Sequence, residues 1–119
     1  MLDTSPLAAA VERFADRLRA MPQSRLRQGA AATALELARE LSVRAQRLEE
    51  AEAGRGAAPA REMPDAGLFV VGDQVAVAGL DLVEALAAAG AHPDSTTAPS
   101  EMLDEAVRLV EQAELRATR

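Results

Sequence analysis

The sequence lacks several residue types on which enzymes often depend. Its 119 residues include no Cys, Tyr or Trp and no Lys. The absence of Cys excludes disulfides, thiolate metal ligands and thiol nucleophiles, and the absence of Lys excludes a P-loop lysine and a Schiff base. His92 is the sole histidine, so a metal site built on two histidines is excluded as well. Carboxylates, Ser, Thr, Arg and one His provide all the reactive side chains.

Aromatic residues and long apolar runs are also scarce. The two aromatics are Phe14 and Phe69, although 49% of the residues are hydrophobic. Much of that share is Ala, which has the highest helix propensity because it loses no side-chain entropy in a helix. The chain contains no run of about 18 apolar residues that would predict a membrane span, and its N-terminus lacks the basic region of a secretory signal peptide. We therefore predict a mainly helical, cytoplasmic protein with a single domain over 1–119.

The net charge of −6 is unevenly distributed along the chain. Residues 1–61 hold ten Arg and eight acids, whereas residues 62–119 hold three Arg and eleven acids. This polarity favours packing of the first half on the second, within one chain or between two copies. The most basic window of the chain suggests nucleic-acid binding as an alternative function. The other interpretation is that its arginines form a solvated helix face. Its arginines are Arg13, Arg17, Arg19, Arg25 and Arg27.

Apolar residues at helical spacing predict four helices bounded by capping or breaking residues. Ser5 caps the first helix, Gly29 weakens the start of the second, and Gly54 ends it. The predicted helices are 6–20, 24–52, 80–89 and 100–117, with a linker over 53–67 and a loop over 91–99. We expect the first two to form an antiparallel helical hairpin. We interpret His92 as an exposed loop histidine and not as part of a catalytic triad.

The stretch 68-LFVVGDQVAVAG-79 is the only one that alternates like a β-strand. Gly72-Asp73 lies at its centre and is typical of a type II′ turn, so we predict a β-hairpin over 68–78 with Asp73 as a turn residue. One alternative is a phosphate-binding loop, for which Gly72 and Gly79 are too few and too far apart. The other alternative is a helix over 74–89. The predicted fold class is therefore α+β, mainly helical.

Acids three residues apart, as in 49-EEAE-52, 101-EMLD-104 and 111-EQAE-114, place two carboxylates on one helix face, as in the metal sites of helical bundles. The spacing resembles that of the helical Mg-dependent nucleotide pyrophosphohydrolases, which use E-x-x-E followed by E-x-x-D on a neighbouring helix. The resemblance implies a metal-dependent phosphohydrolase with Glu49, Glu52, Glu101 and Asp104 as ligands. The separation between Glu52 and Glu101 is long for that family, and its lysines are missing here. A solvated helix face explains the same spacing, and we predict no cofactor.

These features favour a non-enzymatic interaction or regulatory protein that acts through protein–protein contacts. A lone hairpin has unpaired strand edges, so we predict that it either pairs across a two-fold homodimer or is covered by helices of its own chain. Nucleic acid and membranes are not expected among the partners. The predicted core includes Leu37, Leu41, Leu48, Phe69, Val71, Val75, Val77, Leu82, Leu86 and Val107. The predicted interaction residues are Arg13, Arg17, Arg25, Arg27, Phe69, Val71, Val75 and Val77.

Overall fold

The computed structural model describes residues 2–54, 61–91 and 98–119 and arranges them as a bundle of four long helices. The long helices are α1 (Ser5–Ala20), α3 (Ala31–Glu52), α4 (Val71–Gly90) and α5 (Pro99–Ala117). The three-residue helix α2 (Gln23–Arg25) and a π-helical turn (Leu26–Ala30) connect α1 to α3, and a 3-10 turn (Leu68–Val70) precedes α4. These ranges contain no β-strand, so the predicted α+β class is wrong and the fold is all-helical.

The predicted β-hairpin over 68–78 is replaced by the 3-10 turn and the first half of α4. A Cβ atom at Gly79 would lie 2.6 Å from Val11 Cγ2, and one at Gly72 would lie 3.0 Å from the carbonyl oxygen of Ala15. The two glycines are seven residues apart, about two helical turns, so both face α1. They allow α1 to approach α4 closely. Gly72 is therefore a helix contact and not a turn residue, and Asp73 lies in the first turn of α4.

The apolar residues of this stretch also fit a helical period. Val71, Val75, Ala78 and Leu82 recur at spacings of four, three and four, and all four are buried in the structure. The alternation that predicted two strands was therefore the weaker of two patterns in the same residues. The predicted helix over 80–89 is the second half of α4, which begins nine residues earlier at Val71.

The helices run in directions that require one long connection. A side chain at Gly72 would meet Arg19, whereas one at Gly90 would meet Leu2, so α4 is antiparallel to α1. In contrast, α4 is parallel to α3. Val71 shares a cleft with Ala31, and Asp81 shares another with Ala45, which lies further along α3. Since neighbouring parallel helices cannot be joined by a short loop, the chain must return along the bundle before α4 begins.

Residues 61–67, which we call the strap, form part of this return. The side-chain amide of Gln46 on α3 donates to the Arg61 carbonyl at 2.9 Å and accepts from the Arg61 N–H at 2.8 Å. Arg39 Nε donates to the Met63 carbonyl at 2.8 Å, and Gln74 Nε2 on α4 donates to the Pro64 carbonyl at 2.8 Å. Side chains of α3 and α4 thus hold the backbone of the predicted linker in place.

α5 completes the bundle by packing on α1 and α3. Its start lies beside the second half of α3, where Arg44 Nη2 is 3.0 Å from Glu105 Oε1. Its end lies beside α2, where Arg25 Nη2 donates to the Arg119 carbonyl at 3.4 Å. α5 is therefore antiparallel to α3 and parallel to α1. The main contacts of α1 are with α4 and α5, and not with the long second helix that the sequence suggested as its partner.

Most of the predicted core is confirmed. The buried members are Leu37, Leu41, Leu48, Val71, Val75, Leu82 and Leu86, and Val107 packs half-buried against them. Phe69 and Val77 were wrongly assigned to the core, because their exposed fractions are 73% and 55%. In a strand Val75 and Val77 would share a face, but in a helix they point in nearly opposite directions. The change from strand to helix therefore moves Val77 from the core to the surface.

Two glycines mark the boundaries of α3. Gly29 lies in the π-helical turn with φ of 135°, a conformation that glycine adopts without the steric cost of a side chain, so the predicted helix over 24–52 is interrupted there. Gly54 has φ of 71° and follows the last turn of α3, which confirms it as the terminating residue. His92, in the predicted loop over 91–99, lies outside the described residues.

We expect Gly79→Ala to destabilise the protein by about 1–3 kcal/mol, because the new methyl group would collide with Val11 in a packed interface. At an exposed helical position the same substitution would stabilise by up to about 1 kcal/mol, since Ala has the higher helix propensity. Val11 is β-branched and has one strongly preferred rotamer in a helix, so it cannot turn aside easily. The measurement is urea unfolding followed by circular dichroism.

Val11→Ala provides the matched control for this substitution. Removing the two methyl groups opens space for the new Cβ, so the double variant should lose less stability than the sum of the two single variants. An increase in stability for Gly79→Ala alone would show that α1 and α4 do not approach as closely as described.

Candidate interaction surface

α4 exposes large apolar side chains to solvent. Among the described residues, three of the four exposed large hydrophobic side chains belong to α4 and the turn before it, and these are Phe69 (73% exposed), Leu80 (57%) and Val77 (55%). The fourth is Leu115 on α5 (62%). Val83, which is half-buried, lies three residues after Leu80. We call Phe69, Val77, Leu80 and Val83 the α4 strip.

The members of the α4 strip lie along one side of the helix. Leu80 is three residues from both Val77 and Val83, a spacing that makes side chains neighbours on a helix surface. Phe69 lies before this helix, in the 3-10 turn that leads into it, and extends the exposed apolar surface at its N-terminal end. Apolar side chains that share a surface are more informative than apolar side chains exposed singly, because isolated ones occur on most proteins.

A cleft between α4 and α1 adjoins this strip. Its volume is about 190 Å³. Small-molecule sites usually measure roughly 300–1,000 Å³, so the cleft is small for a cofactor. It could receive one large apolar side chain of a partner. Its lining consists mainly of small apolar residues from both helices: Ala8, Val11, Ala15, Ala76, Gly79, Leu80 and Val83, with Glu12 and Arg19 as its polar members.

The rim of the cleft is negatively charged. Arg19 donates from Nε and Nη2 to Asp73 Oδ1 at 2.9 and 2.7 Å, and from Nη1 to Asp16 Oδ1 at 3.1 Å. These hydrogen bonds, chiefly those with Asp73, raise the pKa of Arg19 above its usual range. Glu12 also lines the cleft, and Glu84 is exposed one turn after Leu80. The cleft and its border thus carry four carboxylates and one guanidinium group, and the charge of that guanidinium group is already balanced by Asp16 and Asp73.

Two of the predicted interaction residues join α1 to α5. Arg13 Nε is 3.2 Å from Glu114 Oε1, and Arg17 Nη1 is 3.4 Å from Glu114 Oε2. The Glu114 side chain is only 10% exposed, whereas about half of each arginine side chain is exposed. Sequence reasoning did not identify this cluster. Glu114 lies four residues after the buried Val110, on the inner side of α5, and a carboxylate there requires a cationic partner.

The remaining arginines of the basic window lie on different parts of the bundle. Arg25 contacts the Arg119 carbonyl, and Arg19 contacts acids on α1 and α4. Arg27 is exposed beside an opening of about 370 Å³ next to the π-helical turn. The described structure therefore does not gather the five arginines on one free basic face.

Only part of the predicted apolar interaction set is available at the surface. Val71 and Val75 are 3% and 0% exposed and belong to the core. Phe69 and Val77 are members of the α4 strip. Leu80 and Val83 were not among the predicted interaction residues, because the hairpin prediction ended at 78.

The acidic residue pairs lie near the Arg44–Glu105 contact. Glu49 and Glu52 belong to the last turn of α3, whereas Glu101 and Asp104 belong to the first turns of α5. Within the ranges that the structure covers, no group of three or more His, Asp or Glu residues is arranged to hold a metal ion. The four residues suggested by the pyrophosphohydrolase resemblance therefore do not form a metal site in this part of the chain.

Comparison with protein-family models, with curated proteins and with solved structures finds no match to this chain. None of the helices in the described ranges combines the length and the apolar character needed to cross a membrane.

We expect the two sides of the Arg13–Arg17–Glu114 cluster to respond differently to substitution. Replacing both arginines by Gln leaves a nearly buried carboxylate without a cation and should destabilise the protein by about 3 kcal/mol. Replacing Glu114 by Gln leaves two half-exposed arginines that water can solvate, so the loss should be closer to about 1 kcal/mol. Urea unfolding of the variants measures both values. Equal losses would contradict the assignment of Glu114 as the desolvated member.

The Arg44–Glu105 pair should contribute stability that depends on pH. The hydrogen bond from Arg44 lowers the pKa of Glu105 below its ordinary value. A carboxylate whose pKa is lower in the folded state stabilises the fold above its unfolded pKa, and this contribution is lost as the pH falls through the folded pKa. We expect the difference in urea midpoint between wild type and Glu105→Gln to be present at pH 7 and to shrink below about pH 4. Glu111→Gln is the control, and a difference that stays constant with pH would contradict the prediction.

Proposed function

We propose that this chain is a non-enzymatic interaction protein that binds a protein partner through the α4 strip and the adjoining cleft. The supporting observation is the concentration of exposed large apolar side chains on α4. Burial of a side chain such as Phe or Leu contributes roughly 1.5–3 kcal/mol, so leaving Phe69 and Leu80 in water forgoes that stabilisation. The chain has two aromatic residues, and one of them is among the exposed set. A partner that covers the strip would recover the lost burial.

The cleft gives this surface the shape of a binding site. Energetically important interface residues are usually large side chains that enter well-packed pockets. The cleft could accept a partner side chain, and Leu80 and Phe69 could pack against the same partner. Apolar patches with a polar border are typical of protein–protein interaction sites. The acidic residues around the cleft provide such a border.

The other predicted functions gain no support from the positions of their residues. The arginines from Arg13 to Arg27 do not share one face, and the acids at the α3–α5 end do not form a metal site within the described ranges. The homodimer stays a prediction. The described residues have no unpaired strand edges, so no strand pairing requires a second copy. Sedimentation velocity of the purified protein tests it. The cytoplasmic location is part of the same proposal and is tested by fractionation.

Site-specific photo-crosslinking tests the proposed surface. The photo-reactive amino acid benzoylphenylalanine replaces Leu80 or Phe69 in the cells that naturally produce the protein. After irradiation, mass spectrometry identifies the proteins that are crosslinked to it. We expect both positions to capture the same partner, because both side chains lie on the α4 strip.

Leu115 is the matched control, since it is an equally exposed leucine on a different helix. Benzoylphenylalanine at Leu115 should not capture that partner. Equal capture at Leu115, or no adduct at either strip position, would overturn the proposed function.

A further inference from the structure

We infer that the partner presents to the α4 strip an amphipathic helix whose apolar side is flanked by basic residues. This inference rests on the proposed function, because it names the chemistry of the partner that would occupy the same surface. It depends on two independent features of the surface. One is the elongated shape of the apolar strip beside the cleft, and the other is the charge of the rim.

The shape of the surface fits a helix. α4 extends about 18 Å from Val71 to Val83 at 1.5 Å per residue, and Phe69 lies in the turn just before it, so the strip is more than three helical turns long. It adjoins the groove between the antiparallel helices α1 and α4, where Leu80 and Val83 line the cleft. Amphipathic helices commonly bind such grooves through apolar side chains at helical spacing. Strand addition, another common mode, requires an open sheet edge, which the described part of this chain does not have.

The charges of the rim specify a basic partner. Arg19 donates its hydrogen bonds to Asp16 and Asp73. In the part of the chain that the structure describes, Glu12 and Glu84 form no ion pair with an arginine. α4 itself contains three acids and no base between Val71 and Gly90. An acidic partner would meet the like charges of Glu12 and Glu84 beside the cleft. Arginine or lysine side chains flanking the partner's apolar face would complement Glu12 and Glu84, and the net charge of −6 would favour their approach.

A pair of designed peptides tests the inference. Both are helical and carry leucines at positions i, i+4, i+7 and i+11, but one has Arg on both flanks and the other has Glu at the same positions. Fluorescence anisotropy at low salt measures their dissociation constants for the intact protein. We expect the basic peptide to bind at least about tenfold more tightly, since a few exposed ion pairs together account for a difference of that size. The difference should decrease as salt screens the charges.

Two pairs of variants locate the binding. Leu80→Ser should weaken binding of the basic peptide by at least about tenfold, whereas Leu115→Ser should leave it unchanged, although neither alters the net charge. Glu12→Gln with Glu84→Gln should weaken it several-fold more than Glu36→Gln with Glu111→Gln, which removes two exposed acids elsewhere. Circular dichroism confirms that each variant is folded. Equal effects within either pair would overturn the inference, because binding would then reflect general charge or a different face.

The outcomes separate this inference from the proposed function. Crosslinking at Leu80 together with equal binding of the acidic and basic peptides would retain the interaction surface and reject the basic helix. Failure of crosslinking at both strip positions would reject the interaction surface itself. A homodimer in sedimentation that Leu80→Ser abolishes would show that a second copy occupies the strip, and would also reject the basic helix.

Discussion

The close approach of α1 and α4 determines that α4 is a helix from its first residues and which of its side chains are exposed to solvent. Gly72 and Gly79 have no side chain where α1 passes, so the two helices are separated by little more than their backbones and the side chain of Val11. This contact requires α4 to be a helix from its first residues. It also sets the rotation of α4 about its own axis. With the glycines facing α1 and Val75 facing the core, Val77 and Leu80 have no position except on the outside.

The parallel arrangement of α3 and α4 is the second constraint. Helices that run in the same direction cannot be connected by a tight turn, and here the chain returns along the bundle before it enters α4. Gln46 provides a donor and an acceptor to one residue of the strap, in the manner of a neighbouring strand. The return segment therefore obtains its hydrogen bonds from helical side chains and needs no sheet. Polar residues of α3 thereby have a structural role that helical periodicity does not predict.

The positions of most helices could be predicted from the sequence, but few of the residues that are exposed on the surface of the bundle could be. Helical spacing predicted α1, the greater part of α3 and α5, and it identified Leu41, Leu82 and Leu86 as core. It failed between 68 and 79, because Val and Ala in alternation suit a strand while the same residues at spacings of three and four suit a helix. Only tertiary packing decides between these patterns. In the sequence alone Gly72 is typical of a turn, whereas in the folded bundle Gly72 and Gly79 allow a close contact between two helices. Of the α4 strip, Phe69 and Val77 were among the predicted interaction residues but Leu80 and Val83 were not, because a side chain's exposure there depends on which helix lies opposite.

The attachment of the strap has a consequence for sequence variation. The strap forms hydrogen bonds to Gln46, Arg39 and Gln74 through its backbone carbonyl and amide groups. These hydrogen bonds therefore do not depend on the identity of the strap's side chains. Strap side chains without contacts of their own are therefore free to change, provided that residue 61 is not proline, whereas Glu62 pairs with Arg39, Met63 packs against the core and Gly67 has φ of 101°. The three helical residues that hold it do not have this freedom. In related chains the strap should diverge while the residues beneath it persist, which is the reverse of the usual expectation that polar surface residues vary most freely.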